Sequence, residues 1–416
     1  MKSRLIILLF SVILLCTFMV SCNTAQDDPP DSPPIQPVII PPQDVRIVSV
    51  NVGYTIDNMN RRGELMVPLL LSYAPDSIGT QECGGYTAWT EFFEEGLVGY
   101  ERVGRVSNGA IETADHYSGN YIYYNAEKYD CVDWYTFWVT DNPSQISSYR
   151  NSMYRTCTWI VLQDKVTGFR FVHINTHLAF ENDEINEFQV TLVREVALRF
   201  EKLGLPVFIT GDFNSSEGST SYNVMTSPAA ISDSKYLAEK SMSSGTFRGW
   251  NDRDLSGGSP IDFCFVTGER MTVHEYAVID TFIDGVGLTD HQGIFVHATI
   301  HEQADSRVTP YPISTDGIIV TETSCRNYVY EFSFTQAWDI ELIHKYSVEL
   351  YDSVGNKVAE RTILSRHLDI DFEDYHNCTF TSLEPGEKYT VKLYAVALDG
   401  TYSEPLTFDF TTEKID

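Results

Sequence analysis

Six short polar clusters recur between residues 50 and 291, nearly all at the end of an apolar run. They are Val50-Asn51-Val52, Gln81-Glu82, Asn175-Thr176-His177-Leu178, Gly211-Asp212-Phe213-Asn214, Pro260-Ile261-Asp262-Phe263 and Thr289-Asp290-His291. Together they hold carboxylates that can ligate a hard cation or orient a water, amides that can donate to an anion, and imidazoles that can carry a proton. Cleaving a phosphate ester needs that assortment: a cation against the phosphate charge, a positioned water, and donors for the nonbridging oxygens. Singly, each cluster has a plainer reading; Asn51 could terminate a strand and Glu82 could be a solvated turn residue. The ordered set within one stretch of chain is what points to a site.

Groups so far apart in sequence can meet only if a regular scaffold delivers them. From Asp44 to about His301, short β-branched runs alternate with helical stretches, the texture of an α/β domain. Residues 45 to 52 alternate apolar and polar and contain Asn51 at their end. Ile185, Phe188, Leu192, Val196, Phe200 and Leu203 recur at three- and four-residue spacings and predict a helix, terminated by Gly204 and Pro206. Strands expected over 169–176 and 206–210 bracket that helix, and each runs into a polar cluster, at His177 and at Asp212-Phe213-Asn214. Two successive strand ends bearing reactive side chains define a site along one edge of a sheet.

The ordered set resembles the endonuclease/exonuclease/phosphatase superfamily over nearly all of residues 44–302. The resemblance implies an α/β fold, a four-layer sandwich of two mixed β-sheets flanked by helices, and a metal-dependent phosphoric ester hydrolase. It implies Mg²⁺, with Mn²⁺ as an alternative, held by Glu82 as direct ligand, with Asn51 and Asp290 assisting directly or through water. Asp262 and His291 resemble the family's carboxylate and imidazole pair, in which the acid fixes the ring's tautomer and favours its protonated form. Asp212 would orient or deprotonate the attacking water, while Asn214 and His177 would donate to the phosphate. Whether Asp212 or His291 is the general base stays open, because the distance to the water decides it.

His177 stands where the abasic-site nucleases have Tyr, and its Asn-Thr-His-Leu setting resembles deadenylases, sphingomyelinases and a group of phosphatase-like bacterial proteins. Arg155-Thr156-Cys157-Thr158-Trp159 and Gly245-Thr246-Phe247-Arg248-Gly249-Trp250 resemble that bacterial group too. Arg155 and Arg248 are accordingly candidate phosphate clamps, the alternative being surface arginines, and Thr246 to Trp250 is a candidate substrate-side loop. The sequence also departs from the family. Thr289-Asp290-His291-Gln292-Gly293 replaces the common Ser-Asp-His-x-Pro, Asn120 stands where Glu is frequent, and the Pro-Ala-Trp-x-Asp-Arg stretch of inositol polyphosphate 5-phosphatases is missing.

The 416-residue chain is 43% hydrophobic, enough to bury a core, and its length predicts more than one domain. A net charge of −29 leaves no obvious basic stripe for duplex nucleic acid, so a small, locally gripped phosphate fits better, although acidity also simply keeps a surface protein soluble. Residues 1–22 read as a secretion signal: Lys2 and Arg4, an apolar run from Leu5 to Val20, then Ser21-Cys22, which resembles a bacterial lipobox with Cys22 as the lipid attachment site. The plainer alternative is a signal or anchor with an incidental Cys. Residues 23–43 read as a proline-rich tether, and Asp27-Asp28 resembles surface-export signals of some Gram-negative lipoproteins, so the expected place is a bacterial outer membrane or cell surface. Beyond a 303–314 linker, residues 315–416 read as an all-β, immunoglobulin-like sandwich. The stretch Leu383 to Tyr389 there resembles the E to F corner of a fibronectin type III domain, with Trp338 as the expected core tryptophan. Cys325 with Cys378 is a candidate bridge, buried free thiols being the alternative. Two other functions fit the same residues: a secreted nuclease scavenging nucleic acid, and a catalytically silent surface binding protein.

Overall fold

The computed structural model describes residues 39 to 415, apart from 56, 85–87, 108–118, 142, 144–145, 229, 251–257, 259, 305–312, 338–342, 365–374 and 398–399. The expected signal with Cys22, most of the tether, Trp338 and most of the 303–314 linker lie outside the described residues.

Two mixed sheets carry the six clusters. The seven-stranded sheet runs, in spatial order, Lys240–Met242, Met271–Ile279, Gly293–Ile300, Gln43–Asn51, Ser77–Cys83, Gly119–Asn125 and Tyr100–Val103. The six-stranded sheet runs Ser232–Asp233, Asp262–Val266, Val207–Asp212, Arg170–His177, Thr156–Asp164 and Tyr129–Trp138. Each sheet has a central parallel pair joined through a helix: Gln43–Asn51 to Ser77–Cys83 by Met59–Leu71, and Arg170–His177 to Val207–Asp212 by Asp183–Lys202. A parallel pair needs such a crossover, which also makes both strands end at one edge.

Three apolar cores separate the layers. Ile47, Ile122, Phe171, Phe208 and Val296 pack between the sheets. Met66, Leu70 and Phe93 seat two helices, Met59–Leu71 and Trp89–Gly96, on the outer face of the seven-stranded sheet. Val190, Leu192, Val193 and Phe200 seat Asp183–Lys202 on the six-stranded one. That helix closely matches the one expected from spacing. Asn182 caps it, its side chain accepting from the Glu184 and Ile185 amides at 2.8 and 3.2 Å, and Asp183 and Glu184 in its first turn oppose Arg199 and Lys202 in its last.

Between the sheets runs a polar seam embedded in the apolar layer. The buried Asn175 amide donates to the carbonyls of Thr80 and Tyr121 at 2.9 and 3.1 Å, and its oxygen accepts from Gln81 at 2.6 Å and from the Thr210 hydroxyl at 3.1 Å. His173 continues the seam, bonded to Ser77 at 2.7 Å and to Thr210 at 2.8 Å, with burial pushing its imidazole down to about 3, so it stays neutral. Gly79 allows this approach: a Cβ there would lie 2.5 Å from Asn175 Oδ1 and 2.6 Å from Thr210 Oγ1.

The folded part begins before residue 44. Ile39–Ile40 pairs antiparallel with Gln303–Ala304, and Ile40 is buried in the core between the sheets, so apolar burial draws in the end of the expected tether.

Residues 320–411 form antiparallel three- and four-stranded sheets around a core of their own that includes Phe332, Phe380, Tyr346 and Leu393. They dock beside Tyr129–Trp138, the outermost strand of the six-stranded sheet. Lys345 Nζ reaches Asp133 at 2.6 Å, Tyr135 donates to the Thr362 carbonyl at 2.9 Å, and Arg199 donates to the Ile343 carbonyl at 2.8 Å. His344 lies in the same contact, its ring 4.9 Å from that of Trp159. All six cysteines among the described residues are free thiols, so Cys325 and Cys378 do not bridge; the Cys325 thiol donates to the Thr411 carbonyl instead.

Gly79→Ala is expected to destabilise the chain by about 1–3 kcal/mol, because both facing polar atoms belong to fixed networks and cannot retreat freely. A lower urea midpoint with an unchanged slope is the expected observation.

Candidate active site

Register brings three of the expected groups into one row. Asp262 pairs across from Asp212, and His177 stands beside Asp212 in the neighbouring parallel strand. Asp262 opens its strand while the other two close theirs, so all three side chains sit at one sheet edge. Gly211 makes the row possible: its φ of 150° is open to glycine, and a Cβ would lie 2.1 Å from the Thr176 carbonyl oxygen.

The seven-stranded sheet supplies the facing groups. Asn51, fully buried at the end of its strand, donates from Nδ2 to Asp212 Oδ2 at 3.0 Å and to Glu82 Oε1 at 3.3 Å, joining the sheets across the cleft. Gln81 and Glu82 are consecutive, yet Gln81 bonds Ser49 and Glu82 bonds Asn51, two residues on one face of the adjacent strand. Regular alternation would send them to opposite faces. The left-handed φ of 57° at Glu82, in an irregular stretch of pairing between Thr80 and Cys83, turns both toward the cleft.

His291 closes the arrangement. Its Nδ1 lies 2.9 Å from Asp262 Oδ2 and its Nε2 lies 3.6 Å from Asp212 Oδ2. Burial opposes charge on the ring, but Asp262 and Asp212 outweigh it and push the imidazole up to about 10. Burial, followed by repulsion from Asp262, raises the Asp212 carboxyl. Burial and the Asp290 charge also raise Glu82, against the Asn51 hydrogen bond.

His177 is held in the opposite state. Burial, then Arg155 and His291, push its imidazole far down, and its Nε2 faces the Asn214 amide at 3.0 Å. An amide nitrogen can only donate, so the neutral ring carries its proton on Nδ1, a buried atom without a hydrogen-bond partner among the described residues. Asn214, at a left-handed φ of 48°, also donates from Nδ2 to the Leu178 carbonyl at 3.0 Å. Both amide hydrogens are engaged here, and through one of them Asn214 orients His177.

The arginines separate. Arg155, only 5% exposed, has no hydrogen-bond partner for Nε among the described residues, and its charge acts on Asp212 and Glu82. Arg248 braces the segment before His291: its guanidinium donates to the Thr289 carbonyl at 3.2 Å and lies over the Phe282 ring, and its backbone amide donates to Asp290 O. The rest of the expected substrate loop braces the site as well, since the Thr246 hydroxyl accepts from the Asp262 amide at 3.0 Å. Phe247 sets its ring 5.0 Å from the His291 ring. Thr289, in place of the usual Ser, keeps the useful hydroxyl, which donates to the Asn51 carbonyl at 2.7 Å. Asn120 points into the strand packing, donating to the Thr156 carbonyl at 2.8 Å. The roles of Asn175 and Gln81 as seam residues were hidden in sequence, although both stand inside the recognised clusters.

Two donor sets could face a cation. Among the described residues the tightest is Asp212, Asp262 and His291, whose ligating atoms all lie within 4.8 Å of one another. His291 could ligate there only by giving up the proton that the two carboxylates favour. Glu82, with the Asn51 amide beside it and the Asp290 charge raising its pKa, offers hard oxygen whose repulsion a cation would relieve, and the donor set suits a divalent ion.

The endonuclease/exonuclease/phosphatase family model matches residues 48–291, and the chain belongs to that family. Its members are hydrolases, phosphatases or nucleases. No curated protein matches the chain. Among solved structures, an endonuclease/exonuclease/phosphatase family protein from Bacteroides thetaiotaomicron is 24% identical, covers 63% of this chain and 96% of its own, and has a TM-score of 0.56. A mannosyl-6-phosphatase from the same species is 24% identical over 61% of this chain and 99% of its own, with a TM-score of 0.55. An endonuclease/exonuclease/phosphatase from Bacteroides vulgatus is 23% identical over 62% of this chain and 100% of its own, with a TM-score of 0.57. These likenesses concern the fold.

In Asp262→Asn the His291 imidazole should titrate well below its wild-type midpoint of about 10, as followed by NMR of the ring. Because the folded-state pKa is raised, the protonated ring stabilises the fold fully below its unfolded value, about 6.5, and that contribution fades as pH rises toward the folded value. The variant should therefore lose less stability than wild type across that alkaline window.

Proposed function

We propose that this protein is a Mg²⁺-dependent phosphoester hydrolase, with Mn²⁺ as an alternative, acting outside the cytoplasm on a small or lipid-borne phosphate. The observation that carries the reading is the Asp262, Asp212 and His177 row facing Asn51 and Glu82, with His291 bonded to Asp262. Glu82 would hold the cation, with Asn51 and Asp290 beside it, and a cation there neutralises phosphate charge.

The chain's own groups divide the remaining work. Arg155 and the Nδ1 hydrogen of His177, both buried and each with a donor lacking a partner among the described residues, donate to the nonbridging oxygens. Asp212 orients the attacking water and takes its proton. It is the better base of the two, since Asp262 favours the protonated form of His291. His291, so charged, stabilises the negative charge that builds on the phosphate.

We also propose that residues 1–22 direct export and that lipidated Cys22 holds the chain to a bacterial membrane, on the outer membrane or cell surface. Among the described residues no helix is long and apolar enough to cross a membrane. The C-terminal sheets read as a fibronectin type III-like spacer. Supporting this, the Tyr389 hydroxyl near the start of its strand accepts from the Glu384 amide at 2.9 Å, a bond to backbone a few residues upstream.

Protein lacking residues 1–37 should release product from phosphomonoesters or phosphodiesters only with a divalent cation. Glu82→Ala, Asp212→Ala and His291→Ala should each lower kcat/KM by about 10²-fold or more. Unchanged rates in all three would sink the assignment, and cleavage confined to DNA or RNA would replace it with the nuclease reading. Binding of a phosphoester without turnover would leave a silent binding protein. Separately, Cys22→Ser should release the full chain from the membrane fraction, as seen by immunoblot.

A further inference from the structure

Arg62 lies on the Met59–Leu71 helix, outside all six clusters, and is 1% exposed. Its guanidinium meets three backbone carbonyls: Nε donates to Leu288 O, Nη1 to Thr55 O and Nη2 to Val52 O, each at 2.6 Å. Val52 directly follows Asn51, and Leu288 stands two residues before Asp290. One side chain thus ties the segment after Asn51 to the segment before Asp290, Val52 and Leu288 being 236 positions apart in sequence.

The same group is enclosed by aromatic faces, with the Trp89 ring 5.0 Å and the Trp250 ring 4.8 Å from its central carbon. Trp89 adds a bond from its indole nitrogen to the Gly53 carbonyl at 3.2 Å, and the Gly53 amide donates to Asn51 Oδ1 at 3.0 Å. Buried carbonyls need donors, and three of them converging from different directions suit a planar fork far better than a point charge. The hydrogen bonds of Arg62 go to backbone carbonyls, so it acts through the segments it fixes, and its charge also acts on Asp290, an effect that a lysine would retain.

We propose that Arg62 is a positioning residue that sets the spacing between the Asn51 and Asp290 ends of the cation site. This rests on the cation placement proposed above. Arg62→Lys keeps the charge but loses the three-way fork, and partners that orient metal ligands typically govern affinity by about 10–100-fold.

The test measures Mn²⁺ binding to the full chain in detergent by electron paramagnetic resonance, without substrate, for wild type, Arg62→Lys, Leu70→Ala and Glu82→Gln. Leu70, buried on the same helix, controls for simple loss of stability. Arg62→Lys with native near-ultraviolet circular dichroism should bind Mn²⁺ about 10–100-fold more weakly, while Leu70→Ala binds as wild type. Wild-type affinity in folded Arg62→Lys, or an equal loss in Leu70→Ala, overturns the proposal. Should Arg62→Lys not fold, Arg62→Gln is read in the same way, and failure of both to fold assigns Arg62 to the core and overturns it too. Unchanged binding in Glu82→Gln would instead overturn the cation placement, a separate failure.

Discussion

The seam of polar side chains between the two sheets is the constraint on which the rest of the molecule depends. Apolar faces slide past one another at little cost, whereas a buried amide has a small set of acceptable partners. Asn175 has four, two of them carbonyls of the opposite sheet and one of them Gln81. Slipping either sheet would leave these groups unsatisfied in a dry layer, at about 1–3 kcal/mol each. The seam therefore fixes the offset between sheets, and the bond from Asn51 to Asp212 at its end is the same lock carried into the cleft.

Charge is the second organising term. Glu82, Asp212, Asp262 and Asp290 crowd one edge, and the described groups whose charge acts on them include Arg155, Arg62 and the protonated His291. Burial first, and then repulsion from a neighbouring carboxylate, raises the first two carboxyls. The opposite states of the two histidines follow from the same physics. His291 is bonded to Asp262 and faces Asp212, while His177, although 3.5 Å from Asp212, is bonded to an amide and is held neutral by burial, Arg155 and the charged His291.

The C-terminal sheets take part in the fold rather than trailing from it. Tyr129–Trp138 ends the six-stranded sheet, and an uncovered outer strand invites pairing with other chains. Asp133 and Tyr135 on that strand anchor Lys345 and the Thr362 carbonyl, so the docked domain occupies the vicinity of the edge. Burial pushes the imidazole of His344 down to about 4, which keeps this contact free of an extra buried charge near Arg199 at neutral pH.

Sequence by itself determined the elements and the chemical inventory. The spacing of Ile185, Leu192 and Phe200 fixed a helix because helical period and burial coincide there, and the clusters were legible because reactive residues interrupt apolar runs at strand ends. What each residue does was decided by tertiary structure. Asn214, Arg248 and Thr246, read in sequence as substrate-side groups, bond His177, the Thr289 carbonyl and the Asp262 amide, while Arg62 gave no signal at all. The reason is physical: identity says which bonds a side chain can form, but the partner is chosen by strand register, by a few left-handed backbone positions and by distant contacts such as that of Thr289 with Asn51, 238 positions away, none of which leaves a local trace.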